Sequence, residues 1–381
     1  MSPDQPAPRL DVDRILSDPG VRIVVCCGSG GVGKTTTAAA LALRAAEQHG
    51  RHTVVLTIDP ARRLAQSLGL TELDNTPRPV KGVAEASEGS LHAMMLDMKR
   101  TFDEVVLQHT EPAKAAEIFA NPFYQAMSST FSGTQEYMAM EKLGSLHAQG
   151  EWDLIVVDTP PSRSALDFLD APARLGRFLD GKMLRLLLAP ARAGGRSVFG
   201  LVTASLGVFS RVVQKVLGAQ LLTDLSGFVA ALDSMFGGFR QRAEETFRIL
   251  QAPETAFLVV ATPERDAVRE AAYFARRLGE ERMPLAGLVL NRVHSTHVPS
   301  LGADASLAAA ALLDEAGDQE ATADALRIHA SLAAAADRER EVTATFSREF
   351  PTVPTVAVTA QPADVHDIDG LRTIGSAISQ P

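Results

Sequence analysis

Nine residues, Gly28-Ser29-Gly30-Gly31-Val32-Gly33-Lys34-Thr35-Thr36, follow directly on the apolar run Ile23–Cys27. The string matches in full the pattern of a phosphate-cradling loop set between a strand and a helix. Glycines let the backbone curl around an anion, so that successive N–H groups converge on it at the positive end of the helix that follows. Lys34 is placed to reach β- and γ-phosphates, and Thr35 to offer its hydroxyl to Mg²⁺. Gly28, Ser29, Gly30, Gly31, Val32, Gly33 and Thr36 supply the rest of the cradle. The plain alternative is an ordinary glycine-rich turn. The complete match in the right context favours the anion site, and a nucleoside triphosphate is the expected ligand.

Two acids stand where they could complete such a site. In Thr57-Ile58-Asp59-Pro60-Ala61-Arg62-Arg63, Asp59 closes an apolar run and could orient or deprotonate an attacking water. It could equally cap a helix over Ala61–Leu68, which aspartate does well. Pro60 stops the strand and redirects the chain. In Leu154-Ile155-Val156-Val157-Asp158-Thr159-Pro160-Pro161, Asp158 ends a second apolar run. Alone it would be a turn residue; beside a phosphate loop it reads as the second Mg²⁺ anchor, directly or through water.

These residues need a frame that brings them together. Apolar, β-branched runs alternate with helical patterns, which predicts a doubly wound, mostly parallel α/β sheet covered on both faces. The expected strands are Ile23–Cys27, Val54–Ile58, Leu91–Leu96, Leu154–Val157, Phe257–Ala261, Leu285–Leu290 and Thr355–Val358. Asp59, Asp158, Thr262 and Asn291 each follow such a run, and ligands gather at the carboxyl ends of strands in these sheets. Residues 1–20 read as a tail and 21–381 as a single domain. Within it, an apolar insert spans about 175–250, and an alanine-rich stretch, 303–342, reads as one or two surface helices broken near Gly317.

Composition narrows the function. The net charge of −9 argues against non-specific attraction to nucleic acid or anionic lipid. The two cysteines, Cys26 and Cys27, are neighbours on one strand and point to opposite faces, so they make neither a normal disulfide nor a zinc site. A reducing cytoplasm is the expected compartment. The acidic N-terminus does not read as a signal peptide. The longest uncharged stretch of apolar character, Ser197–Ser210, is shorter than the ~18 residues a spanning helix needs, so no integral membrane segment is expected.

Together these pieces resemble one branch of the phosphate-loop NTPases, the arsenite-pump ATPase (ArsA)-like family, which includes the eukaryotic ATPase that targets tail-anchored membrane proteins. The likeness runs from Ile23 to about Ile374. It is carried by Gly30–Thr36, by Asp59-Pro60-Ala61, and by Asp158-Thr159-Pro160-Pro161 leading into Ser164–Leu169. It implies that Asp59 activates water in a first switch and that Asp158 opens a second switch sensing the γ-phosphate. It further implies that Asn291 recognises adenine and that Pro362, in a late loop Pro362–Leu371, packs on the base. An asparagine amide both donates and accepts, which suits an adenine edge.

The sequence departs from that family in informative places. A signature lysine normally reaches across a dimer to the partner's nucleotide; Ser29 stands in its position and has neither the charge nor the length. The chain then pairs with a lysine-bearing paralogue, uses Arg62, Arg63 or Arg163 instead, or hydrolyses ATP poorly; the first is favoured. Ser162-Arg163 replaces the family's frequent Gly-His. Adjacent cysteines do not form an arsenite site, and without Cys-x-x-Cys there is no zinc-held dimer; no iron–sulfur cluster is expected. The apolar insert supplies either a buried core or subunit interface, or a groove for a hydrophobic client. The expected activity is therefore Mg²⁺-dependent ATP hydrolysis, driving a dimer that handles a hydrophobic polypeptide or protein partner. The alternatives are an ATP-holding regulatory subunit and a positioning ATPase of the same wider class.

Overall fold

A computed structural model describes residues 8–59, 63–83, 87–122, 124–125, 134–160, 241–317 and 319–379. They fall into two compact units. The first carries eight strands: β1 (Ile23–Cys27), β2 (His52–Thr57), β3 (Arg78–Pro79), β4 (Ser90–Met95), β5 (Leu154–Asp158), β6 (Thr255–Ala261), β7 (Leu285–Val293) and β8 (Thr355–Thr359). They form one sheet in the order β3-β4-β2-β5-β1-β6-β7-β8. All pairs are parallel except that of the two-residue edge strand β3 with β4. This is the doubly wound α/β sheet that the alternating pattern predicts, and all seven expected strands are present. β3 escaped the pattern because two exposed residues carry no periodicity.

Burial follows position in the sheet. Every residue of β1, β5 and β6 is buried, as strands covered on both faces require, whereas the edge strand β8 alternates. β1 lies between β5 and β6. The chain builds outwards from β1 on one side, returns through β5, and then crosses to the other side. The reversal leaves a crevice at the carboxyl end of β1, where such sheets hold ligands.

The helices around this sheet are α1 (Val12–Ser17), α2 (Lys34–His49), α3 (Arg63–Ser67), α7 (Arg265–Glu280), α8 (Ala303–Ala316), α9 (Glu320–Glu349) and α10 (Ile368–Ser379). α2 buries six alanines together with Leu41 and Leu43, and small side chains let it lie close beneath the sheet. The alanine-rich stretch forms the pair α8 and α9, separated at Gly317, whose φ of 67° ends α8 in the left-handed conformation. α9 continues beyond 342 to Glu349, where Phe346 is buried.

The described part of the N-terminal segment is docked on the sheet rather than trailing from it. Asp11 caps α1, Leu10, Val12 and Leu16 are buried, and Leu10 N donates to Thr355 O on β8. Asp13 receives two bonds of 2.7 Å from Arg44 on α2. Arg51, also buried, donates to the carbonyls of Leu16, Asp18, Val21 and Asp153 and so gathers the amino ends of the sheet.

The second unit contains α4 (Met98–His109), α5 (Pro112–Ala120), α6 (Thr134–Gln149) and helical residues 241–248. Asp97 caps α4, Tyr124 donates to Asp103 at 2.6 Å, and Arg242 reaches Glu141 at 2.6 Å. Gly144 packs against Thr246 so closely that an added Cβ would sit 2.4 Å from its hydroxyl. Residues 161–240, which hold most of the expected apolar insert of about 175–250, lie outside the described residues, with Arg163 and the stretch Ser164–Leu169; Pro60 and Arg62 do as well.

The Asp13 cluster gives a pH test. The hydrogen bond from Arg44, ahead of the contribution of His49, holds the Asp13 carboxyl down at about 2. A carboxyl depressed in the folded state stabilises it above its unfolded pKa of ~3.9, and the gain is lost as pH falls through the folded value. Asp13→Asn therefore melts below wild type from pH 7 down to about pH 4. The gap in melting temperature closes as pH approaches 2, which a pH series of thermal melts would reveal.

Candidate nucleotide site

The loop after β1 has the backbone that its sequence demands. Gly28 has φ 153°, and a Cβ there would lie 2.1 Å from Val260 O on the neighbouring strand. Gly33 has φ 96°, and a Cβ there would meet Asn291 Nδ2 at 2.2 Å. No side chain caps the start of α2, so its first-turn N–H groups remain for a ligand. An uncapped helix start with no acid in its first turn is an anion site by construction.

Lys34 is 5% exposed and its Nζ donates to Ser29 O at 2.8 Å, folding the side chain back over the loop. Burial lowers its pKa, while the charges of Asp158 and Asp59 oppose that shift. Thr35 Oγ1 donates to Asp158 Oδ2 at 2.7 Å. The structure thus brings together two residues, 123 positions apart in sequence, that were each read as Mg²⁺ ligands.

Asp158 is completely buried, and burial pushes its carboxyl up to about 6 against the hydrogen bonds of Thr35 and Thr57 and the charge of Lys34. Its second oxygen, Oδ1, has no hydrogen-bond partner among the described residues. A buried carboxylate oxygen left open is costly unless a cation or donor completes it. Thr57, unassigned from sequence, donates to Asp158 Oδ2 at 2.9 Å and accepts from Asp59 N at 3.2 Å. Its hydroxyl ties the two acids together. Thr57 and Asp158 are partners in the β2–β5 register, and that pairing is the one signal that would have found it.

A cavity of about 530 Å³ opens over the loop. One wall carries Gly31, Gly33, Lys34, Thr35 and Thr36; another carries Asp59 with Arg63, Gln66 and Ser67 of α3; a third carries Asn291 and Arg292. Ala360, Gln361, Ala363, Asp364, Val365 and His366 close the far side. Pro362 itself is exposed and is not among the lining residues, although both its neighbours are. Asn291 Nδ2 donates to Val32 O at 2.9 Å, and Asn291 Oδ1 accepts from Arg292 N at 3.0 Å. One N–H and one lone pair of its amide remain for a ligand. Cys26 and Cys27 are buried free thiols, pushed upward by burial, Cys27 to about 12.

The family model described as Anion-transporting ATPase matches residues 21–301. This chain belongs to that family. ATPase ARSA2 of Chlamydomonas reinhardtii is 27% identical over 277 residues, 72% of this chain and 70% of that protein. ATPase GET3B of Arabidopsis thaliana is 26% identical over 307 residues, 74% of this chain and 67% of the relative. ATPase GET3 of Malassezia globosa is 28% identical over 168 residues, and that match spans less than half of either protein, 44% and 47%. As a member of the anion-transporting ATPase family the chain is an ATP hydrolase, and its glycine cradle fits a triphosphate. The open oxygen of Asp158 beside the Thr35 hydroxyl fits a hard cation that takes oxygen ligands. Among the described residues no helix is long and apolar enough to cross a membrane, and no three or more His, Cys, Asp or Glu residues gather as a metal cluster.

Asp158→Asn keeps an oxygen for the Thr35 and Thr57 hydroxyls but removes the charge. Without ligand, the variant melts above wild type at pH 7.5, because a buried, incompletely compensated charge is gone. Its requirement for Mg²⁺ in ATP turnover rises about 10–100-fold, as for loss of a group that holds or orients a metal. Differential scanning fluorimetry and a Mg²⁺ titration of turnover check the two halves.

Proposed function

We propose that this chain is one subunit of a cytoplasmic, Mg²⁺-dependent ATPase dimer whose nucleotide cycle handles a hydrophobic polypeptide or protein partner. The observation that carries the catalytic part is the buried Asp158 carboxylate, held by Thr35 and Thr57 on one oxygen and unpartnered among the described residues on the other. Lys34 would exchange the neutral Ser29 carbonyl for a phosphate oxygen, a stronger, charge-assisted partner. Loop amides and the uncapped start of α2 would orient the phosphates. Thr35 and Asp158 would hold Mg²⁺, which supplies neutralisation of charge developing on the transferred phosphoryl group. Asp59, buried and lining the cavity, would orient the attacking water. Catalysis on this reading is positioning and electrostatics, which a closed site strengthens by excluding water.

The mechanical output is supported by the company the chain keeps and by its composition. Relatives named GET3B and ARSA2 span large parts of it, and about 175–247 is rich in Leu, Val, Phe, Ala and Gly. Such a stretch needs a core, a subunit interface or a client to cover it. Ser29 in place of a lysine favours a heterodimer with a lysine-bearing paralogue. In that pair the nucleotide on this chain would receive the partner's lysine. The same substitution motivates the second reading, a regulatory subunit that binds ATP and scarcely hydrolyses it.

Turnover distinguishes these. The purified chain alone binds ATP with Mg²⁺ in a calorimetric titration, and Lys34→Ala abolishes that binding. The wild-type chain alone hydrolyses ATP slowly, and adding the paralogue raises turnover at least ~10-fold, the order expected of a charge supplied in trans. Rapid hydrolysis by the lone chain would sink the heterodimer. Binding without hydrolysis in either setting would favour the regulatory subunit.

A further inference from the structure

We propose that Asn291 is a positioning residue for the phosphate loop, so that the grip on phosphates depends on it even when no base is present. The inference rests on the nucleotide reading above and goes beyond base recognition.

The geometry is specific. Asn291 sits on β7 and its Nδ2 donates to Val32 O at 2.9 Å, a bond spanning 259 positions of sequence. In a trans peptide the C=O of one residue and the N–H of the next point in opposite directions. Holding Val32 O therefore fixes the direction of the Gly33 N–H, one of the amides that a phosphate loop presents. Gly33 sits at the junction of loop and helix, as the N-cap of α2 directly before Lys34. The Asn291 amide occupies the space that a Cβ at Gly33 would take, which would lie 2.2 Å from Nδ2. Loop and asparagine fit only as a pair.

The other end of the amide is held as firmly. Asn291 Oδ1 accepts from Arg292 N at 3.0 Å, so a carbonyl on one side and an N–H on the other fix which atom is which. Arg292 adopts φ 61°, the left-handed region that residues other than glycine seldom occupy. The β7–β8 ladder is irregular between Leu290 and Val293 and closes again where Ala360 N donates to Val293 O at 3.0 Å. A bulge of this kind re-aims a side chain at a sheet end. Here it aims Asn291 at the loop.

A ligand without a base separates the two roles. Isothermal titration of wild type, Asn291→Ala and Asn291→Ser would use Mg²⁺ with ATP and Mg²⁺ with inorganic tripolyphosphate. The serine variant retains an oxygen near the Arg292 N–H but cannot span to Val32. The expected result is at least about fivefold weaker tripolyphosphate binding in both variants, the factor one hydrogen bond represents, and ATP binding weakened at least as much. Unchanged tripolyphosphate affinity with weakened ATP binding would make Asn291 a reader of the base alone and overturn the proposal. Unchanged binding of both ligands would overturn it too. If neither variant folds by circular dichroism, Asn291 belongs to the fold and the proposal also fails. Wild type binding neither ligand would instead remove the nucleotide reading.

Discussion

The catalytic end of this sheet is organised around a carboxylate that the protein buries and only partly compensates. Asp158 is fully enclosed at the tip of a strand buried along its whole length, with two hydroxyls on one oxygen and no described partner on the other. A lone buried carboxylate would take up a proton or disrupt the packing around it. Lys34 and the Thr35 and Thr57 hydroxyls oppose that uptake, and desolvation still holds the group at about 6. The carboxylate is left only partly compensated, with its Oδ1 unpartnered among the described residues.

The sheet exists in a form that can sustain this. β1 pairs with β5 so that Cys26 lies beside Asp158, and β2 pairs with β5 so that Thr57 does. Thr159 donates through its hydroxyl to Cys26 O at 2.9 Å, and Ile58 N donates to Asp158 O at 2.9 Å. The backbone around the acid is thus satisfied, and the unmet demand is confined to one side-chain oxygen. A slip of one residue in the β2–β5 register would turn Thr57 and Asp158 to opposite faces and break the hydrogen bond between them.

What could be read from the sequence was whatever is local. An apolar run followed by glycines, lysine and threonine specifies strand, loop and helix within one stretch of chain, so β1, the loop and α2 were legible. So was the acid at the end of each later run. Thr57 was not, because its function arises only when β2 and β5 lie side by side. Arg51 was not, because a buried guanidinium serving four carbonyls has no sequence signature. The docking of α1 depends on Asp13 meeting Arg44, 31 residues away, and Leu10 meeting β8. The late loop was read as packing on the base through Pro362; its neighbours Gln361 and Ala363 line the cavity and Pro362 does not. Which residue of a short irregular segment faces inward is settled by backbone turns that residue types only loosely determine.

The charges lining the cavity bear on how a triphosphate would be held there. Among its described lining residues, Lys34, Arg63 and Arg292 are cationic and Asp59 and Asp364 are carboxylates. Lys34 belongs to the loop itself, and its Nζ turns back onto Ser29 O. A triphosphate brings more negative charge than this small positive excess and one divalent ion neutralise comfortably, and charge migrates outward as the terminal phosphoryl group is transferred. Ser29 adds none. Arg63 lies on the Asp59 wall, at the start of a helix of only five residues that directly follows residues 60–62. Arg292 lines the cavity next to Asn291, committed by its backbone to the bulge that aims that amide. On the dimer proposed above, a partner's lysine would add positive charge at this site without disturbing the buried Asp158.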